Sequence, residues 1–496
     1  MGTLLPGPVE RGSCRRRVVR DGRPGRRLVP VAPRHSVQSR GGLAPCACRS
    51  ADTVPSTACG MSHRAPPSRS SNRSRGNPFR RPISDAEVVN LAQQPNVSSA
   101  AGQSRVRGHV CMIAYTDYAG DARVRREAET LAAHAFRVRC LTTKNGGAPK
   151  HFTLDGVDVQ ELGIRKYRGK STRAYVSSYL QFLAAAAVTC VRLMARGELD
   201  VVHAHNIPDF LVFAGLVPRL AGRKVVLDVH DSVPETFAAK FSSRSLVRKA
   251  LFLEERLSAL IAHRVICVNH PQRETLVARG IPDSKTFISM NVPDPRIFNH
   301  VDIKPHTPEP GRLSLVYHGT MAHRLGVDLL IRAVACLKEQ IPGLRLHLWG
   351  HGDDLPALQM LARDLNLRDQ VLFNPRGYAL EALPGHLRAM DLGVVGNRRS
   401  AACDLMLPVK LLEYVSLGIP AVAPRLKTIQ HYFGEEMVTY YEPESVQSLA
   451  DAVVRLHSDP KLRGSQAVAA RDFLTRYGWE RQGEELVTMY QTLVES

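Results

Sequence analysis

Lys410 and Glu413 stand three residues apart in LPVKLLEYVSLGIPAV (407–422), a segment whose other residues are almost all apolar. On a helix, residues at that spacing share one face. Pro408 suits the first helical turn and Gly418 a C-cap, which predicts a helix over about 408–417. Leu411, Leu412 and Val415 would then face the core. Near the helix N-terminus Lys410 suits phosphate oxygens, and Glu413 suits the hydroxyls of a diol. The plainer alternative is a solvated ion pair worth about 0.3–0.5 kcal/mol.

HGTMAHRLG (318–326) offers Gly319 and Thr320 at a strand end, where small residues and free N–H groups suit phosphate, and Arg324 as a forked cationic donor. GHGDD (350–354) reads equally well as a turn with Asp353 or Asp354 as an N-cap. VHDSVPE (229–235) holds His230 at the end of a very apolar strand, with Asp231 and Glu235 beyond it. His230 is either a cleft-facing donor or acceptor or a satisfied core histidine. His203 and His205 share one face of a strand, but no third ligand stands at metal spacing, so no metal site is assigned. Gly120 lies in another strand-end loop, YTDYAGDARV (115–124). Six such loops collect His, Arg and Gly on one side of two sheets, which a random scatter of turns has no reason to do.

The elements that must position these residues alternate. Strands at 109–115, 137–143, 199–204, 224–230 and 264–269 are separated by helices at 121–136, about 175–196, 209–222 and 245–263. The helix at 121–136 presents Val124, Ala128, Leu131 and Ala132 as its apolar face. A Pro- and Asp-rich stretch, 291–311, reads as a linker, after which the alternation restarts with LSLVYHG (313–319). Such alternation predicts parallel sheets covered by helices on both faces. Two α/β units of this kind would hold a ligand in the cleft between them, beyond the strand ends.

Composition sets bounds. A chain of 496 residues is too long for one core and implies two or three domains. The net charge of +21 suggests nucleic acid, but residues 1–107 hold 19 Arg, no Lys and 5 acids. The globular remainder is only mildly basic, which suits anionic small ligands or an anionic membrane surface and disfavours nucleic acid as a partner. Residues 1–107 lack apolar periodicity and are expected to be a disordered tail. Met61 would also serve as a later start. MGTLLPGPVERG lacks the basic start and apolar core of a secretion signal. The apolar run at 180–191 is shorter than a membrane span and is read as a buried helix. The ten cysteines show no zinc spacing and are expected as buried free thiols in a reducing, cytoplasmic setting.

DARVRREAETL, DVVHAHNIPD, LDVHDSVPE, VYHGTMAHRLGVDLLIRA and LPVKLLEYVSLGIPAV, in that order, resemble the retaining glycosyltransferases of family 4. The subgroup resembled builds bacterial surface polysaccharides. The resemblance covers about 108–496. It implies a GT-B fold, an α/β architecture of two facing Rossmann-like domains with parallel sheets and an inter-domain cleft. It implies an acceptor domain over 108–300, a nucleotide-sugar donor domain over 301–477, and a last helix over 478–496 that packs back on the first domain. It further implies that Glu413 holds the donor ribose, that Arg324 and Lys410 meet the diphosphate near Gly319 and Thr320, that Gly120 approaches phosphates and acceptor, and that His230 contacts the transferred sugar. His230, Arg324 and Lys410 are thus the expected catalytic residues. The first glutamate of the family's E-x7-E motif falls on Leu405, with Asp404 beside it, and the usual basic pair of the phosphate loop is reduced to Arg324.

The partners implied are a nucleotide-diphosphate sugar and a glycan, lipid-linked or small-molecule acceptor, with peripheral contact at the inner face of the membrane. No cofactor is implied, and no D-x-D at a strand end suggests a divalent ion. Two rival readings remain: a nucleotide-sugar epimerase or hydrolase on the same fold, using Asp231 and Glu235, and a nucleic-acid or membrane tether acting through the Arg-rich tail.

Overall fold

A computed structural model describes residues 106–144, 146–167, 169, 171–240, 245–298 and 311–496. The expected disordered tail, apart from its last two residues, and most of the expected linker lie outside the described residues.

The first sheet has the order β3-β4-β2-β1-β5-β6-β7-β8. Its strands are β1 (Gly108–Ala114), β2 (Phe136–Lys144), β3 (His151–Leu154), β4 (Val157–Arg165), β5 (Val201–His205), β6 (Lys224–Val229), β7 (Arg264–Cys267) and β8 (Thr286–Ile288). All pairings are parallel except β3 with β4. Helix α1 (Ala122–Ala133) starts where the Asp121 carboxylate accepts from the Val124 amide. It buries Val124, Ala128 and Leu131, four and three residues apart, as the periodicity predicts. α2 (Thr172–Ala195) follows β4. The helix expected over 209–222 divides into a 3₁₀ segment, Asp209–Gly215, and a short α3, Leu216–Leu220. Then come α4 (Val233–Lys240), α5 (Ser245–Ile261) and α6 (His270–Ala278).

The second sheet, order β11-β10-β9-β12-β13-β14, is entirely parallel. Its strands are β9 (Leu313–His318), β10 (Leu344–Trp349), β11 (Val371–Asn374), β12 (Leu392–Val394), β13 (Ala421–Pro424) and β14 (Thr439–Tyr441). Its helices are α7 (Val327–Leu337), α8 (Leu355–Asp364), α9 (Leu383–Leu387), α10 (Ala401–Asp404), α11 (Val409–Ser416), α12 (Lys427–Tyr432) and α13 (Val446–Ser458). α14 (Pro460–Ala470), α15 (Asp472–Tyr477) and α16 (Trp479–Glu495) close the chain.

α16 returns to the first sheet. Trp479 donates to Thr130 at 3.0 Å, the Arg126 guanidinium lies 4.4 Å over the Trp479 ring, and the Tyr490 hydroxyl stands 2.5 Å from His203 Nδ1. Two sequence expectations need correction. α2 is long and apolar enough, by length and composition, to cross a membrane, yet only one side of it is buried: Val176, Leu180 and Val188 are exposed. α2 covers one flank of the sheet, so a helix apolar on all sides leaves its outer side bare. Among the described cysteines, Cys336 is exposed while the rest are buried and unpaired.

Candidate active site

The strand ends of the two sheets meet at a cavity of about 430 Å³. From the first sheet come Arg123, His230, Asp231 and Asn291, and from the second His318, Gly319, Thr320, Arg324, Lys410 and Glu413. Of the seven residues singled out from the sequence, six line this cavity. Gly120 does not: it is exposed in the turn before α1, beside Asp117. The Asp121 cap fixes the start of α1, and the turn preceding it is carried outward.

β9 is followed by Gly319 at φ 101°, a backbone region that favours glycine. Its carbonyl abuts Gly350, where a Cβ would come within 2.1 Å of it. Two strand ends are thereby pressed together, and the chain then makes a 3₁₀ turn, His323–Leu325, that carries Arg324. The Arg324 guanidinium makes no ion pair or hydrogen bond among the described residues, so its donors remain for a ligand.

α11 begins after Pro408, one residue later than its sequence suggests, and buries Leu411, Leu412 and Val415. Its other side holds Lys410, whose ammonium sits 4.6 Å over the Tyr317 ring. Burial pushes Lys410 down to about 8, against the opposing pull of Glu413. Burial pushes Glu413 up to about 7, and Lys410 partly offsets this. His318, whose Nε2 lies 3.2 Å from Glu413 Oε2, is driven by burial to about 3 and is neutral. The pair is therefore no solvated surface bridge: each charge is held in a site that disfavours it until a ligand arrives.

That arrangement has a pH signature. Lys410 loses its charge as pH rises through about 8, and Glu413 loses its charge as pH falls through about 7. Nucleoside diphosphate affinity is expected to peak between these values and to weaken severalfold on either side. Calorimetric titration at about pH 6, 7.5 and 9 checks this, and an affinity unchanged between the last two would refute the role of Lys410.

Across the cavity, His230 is a held group and not an isolated core histidine. Its Nε2 lies 2.8 Å from Asp228 Oδ2 and 3.0 Å from His205 Nδ1, and its backbone amide donates to Asn206 Oδ1 at 2.7 Å. Burial lowers its pKa, but the charge and hydrogen bond of Asp228 outweigh burial and the net shift is upward. Asp228 is fully buried; burial alone would raise its pKa, but Arg123 and His230 hold it well below the ordinary carboxylate range. Arg123 grips both its oxygens at 2.9 and 2.7 Å and also pairs with Glu127 at 3.1 Å.

Sequence spacing found no third ligand for His203 and His205, but the fold brings Glu127 and Asp228 to them, with ligand atoms within 4.8 Å of one another. Arg123 takes three carboxylate contacts in this set and offsets one of its two negative charges, while Glu127 Oε2, His203 Nε2 and His205 Nε2 are buried with no hydrogen-bond partner among the described residues. Leu405 lines the cavity, and its carbonyl accepts from Asn269 of the first domain at 2.8 Å. Asp404 turns away toward the amide of Lys427. Neither replaces the absent glutamate. Glu235 also points elsewhere, paired with Arg279 and Ser232.

Two facing Rossmann-like domains with a polar cleft define the GT-B architecture. Residues 120–290 match the family model described as glycosyl transferase 4-like domain, and residues 312–459 the one described as glycosyl transferases group 1. A glycosyl transferase model thus matches each of the two domains, and the chain is similar to glycosyltransferases of this architecture. It is 31 % identical over 170 residues to a GDP-mannose-dependent alpha-(1-6)-phosphatidylinositol monomannoside mannosyltransferase of Mycolicibacterium smegmatis, covering 34 % of this chain and 44 % of that protein. An exopolysaccharide phosphotransferase of Streptomyces coelicolor is 32 % identical over 171 residues, 33 % of this chain and 17 % of its own. The chain thus spans less than half the length of these relatives. Among solved structures, sucrose-phosphate synthase from Thermosynechococcus elongatus superposes with a TM-score of 0.64 at 19 % identity, covering 78 % of this chain and 99 % of its own, and shares the fold.

Proposed function

We propose that the chain is a retaining glycosyltransferase of family 4. It moves a sugar from a nucleotide-diphosphate donor to an acceptor hydroxyl in the synthesis of a cell-surface or exopolysaccharide glycan, working in the cytoplasm at the inner face of the membrane. The observation that carries this reading is the meeting of Arg324, Lys410 and Glu413 with His230 across one cavity. Glu413 holds the ribose hydroxyls, and Arg324 and Lys410 face the diphosphate. The bond from the anomeric carbon to the phosphate oxygen breaks, and its electron pair stays on the diphosphate. The two cations offset that growing charge. The acceptor oxygen bonds to the anomeric carbon on the face being vacated, and its proton passes to the departing phosphate oxygen. His230 contacts the sugar. The relatives that use GDP-mannose and phosphatidylinositol monomannoside, by their names, favour a lipid-linked acceptor.

The epimerase reading loses support, because Glu235 is committed to Arg279 and only Asp231 of its two carboxylates reaches the cavity. A thermal-shift series with UDP, GDP and ADP tests the donor site. One diphosphate should raise Tm by several degrees at concentrations well above its Kd, since selective binding stabilises the folded state. No shift with any of the three would sink the donor assignment. Product analysis with and without an acceptor then separates transfer from epimerisation or hydrolysis.

A further inference from the structure

The outer layer of the first domain carries a surface that the reaction does not use. α2, the 3₁₀ segment with α3, and α5 lie side by side on one flank of the first sheet. Their inner residues, such as Phe182, Val212 and Ala259, belong to one core cluster. Their outer residues are largely apolar too. α5 exposes Leu246, Leu253, Leu257 and Leu260, seven, four and three residues apart, which is one stripe of a helix. Leu246 is 75 % and Leu253 58 % exposed. α3 adds Leu216, Val217 and Leu220, the last 82 % exposed, and α2 adds Val176, Leu180 and Val188. An apolar surface running over three adjacent helices marks an interaction site.

Its charges select the occupant. Lys249 and Arg256 are exposed along the α5 stripe, and Arg173 and Arg192 toward the two ends of α2. No Asp or Glu is exposed on α2, α3 or α5. A second copy packed by two-fold symmetry would set these cations against their own kind, and lysine is depleted from such interfaces. A bilayer with anionic headgroups accepts both features: leucines enter the acyl boundary while Lys and Arg stems reach back to phosphates. We propose that this face docks the protein on an anionic bilayer, with the leucine stripe of α5 entering the headgroup boundary. The inference gives a surface to the membrane location proposed above and is independent of the sugar chemistry, so either can fail alone.

The full chain has two native tryptophans, Trp349 and Trp479, both buried. Leu253→Trp therefore reports on its own surroundings, and Met360→Trp, at an exposed site on α8 of the second domain, is the control. With phosphatidylglycerol vesicles carrying brominated acyl chains, the emission that Leu253→Trp adds above the parent's should fall about twofold or more, while the emission that the control adds is unchanged. Residues 1–107 can draw the chain to the same vesicles but cannot place position 253 among the bromines. Equal quenching at both positions, or none at either, overturns the proposal. The exposed pair Leu253→Ser and Leu257→Ser should lower vesicle binding about tenfold in high salt, where tail electrostatics are screened. Unchanged binding by that variant overturns it as well. A lipid-free dimer dispersed by the same two changes, with no quenching at position 253, would assign the face to a second copy instead.

Discussion

Arg324→Ala is expected to lower kcat about 10²- to 10³-fold, equivalent to about 3–4 kcal/mol of lost transition-state stabilisation. The guanidinium stands in the cavity with no protein partner among the described residues, so truncation breaks nothing in the fold. Its backbone carbonyl, which accepts from the amide of Arg398 at 2.9 Å, stays in place. Thermal unfolding should be unchanged in the absence of nucleotide, and the shift produced by the preferred diphosphate should shrink. Arg324→Lys should recover part of the loss, since a point charge replaces a fork. Turnover close to that of the parent in a folded Arg324→Ala protein would remove the diphosphate assignment.

The second large effect concerns stability. Asp228→Asn should cost about 3–5 kcal/mol, because it leaves the buried Arg123 with only Glu127 as a counter-charge. A pH dependence accompanies the loss. The His230 pKa is raised in the folded state, so its contribution is complete below the ordinary histidine value and fades as pH rises through the folded value. Asp228 is depressed, so its contribution is present above the ordinary carboxylate range and is lost as pH falls through the folded value. Urea unfolding should show the parent's stability advantage over Asp228→Asn shrinking as pH rises above the ordinary histidine value of about 6.5. A difference below about 1 kcal/mol between the two would show that the buried pair carries little net weight.

Much of the second domain was legible from local sequence. The strand ending at His318, the Gly319 turn, Arg324 and the face of α11 all follow from runs of a dozen residues with clear periods. The first domain was harder because its site is built from distant segments. Arg123 and Glu127 sit in DARVRREAETL among Arg125, Arg126 and Glu129 and look like a solvated helix face. They are almost fully buried because α1 lies over Asp228 and His203, contacts that span 105 residues in the Arg123 case. Two Arg–Glu pairs at i, i+4 spacing, Arg123 with Glu127 and Arg125 with Glu129, were the available signal, and it is shared by countless surface helices. His318 was visible as a polar residue ending an apolar strand, yet its pairing with Glu413 depends on a contact 95 residues away in sequence. The missed strands β3, β8 and β14 have four, three and three residues, too short to show a period. The 3₁₀ segment before α3 was read as plain helix because its apolar spacing suits both.

The return of α16 to the first sheet imposes an order on synthesis. Tyr490 reaches His203 from 287 residues downstream, and Trp479 and Gln482 bond to Thr130 and to the amide of Met290. The first domain is complete in sequence long before the second is made, but its histidine–carboxylate centre gains its tyrosine only when the final helix has left the ribosome. Until then the flank that α16 covers stays open, and the nascent first half waits, unsealed, through the synthesis of the whole second half.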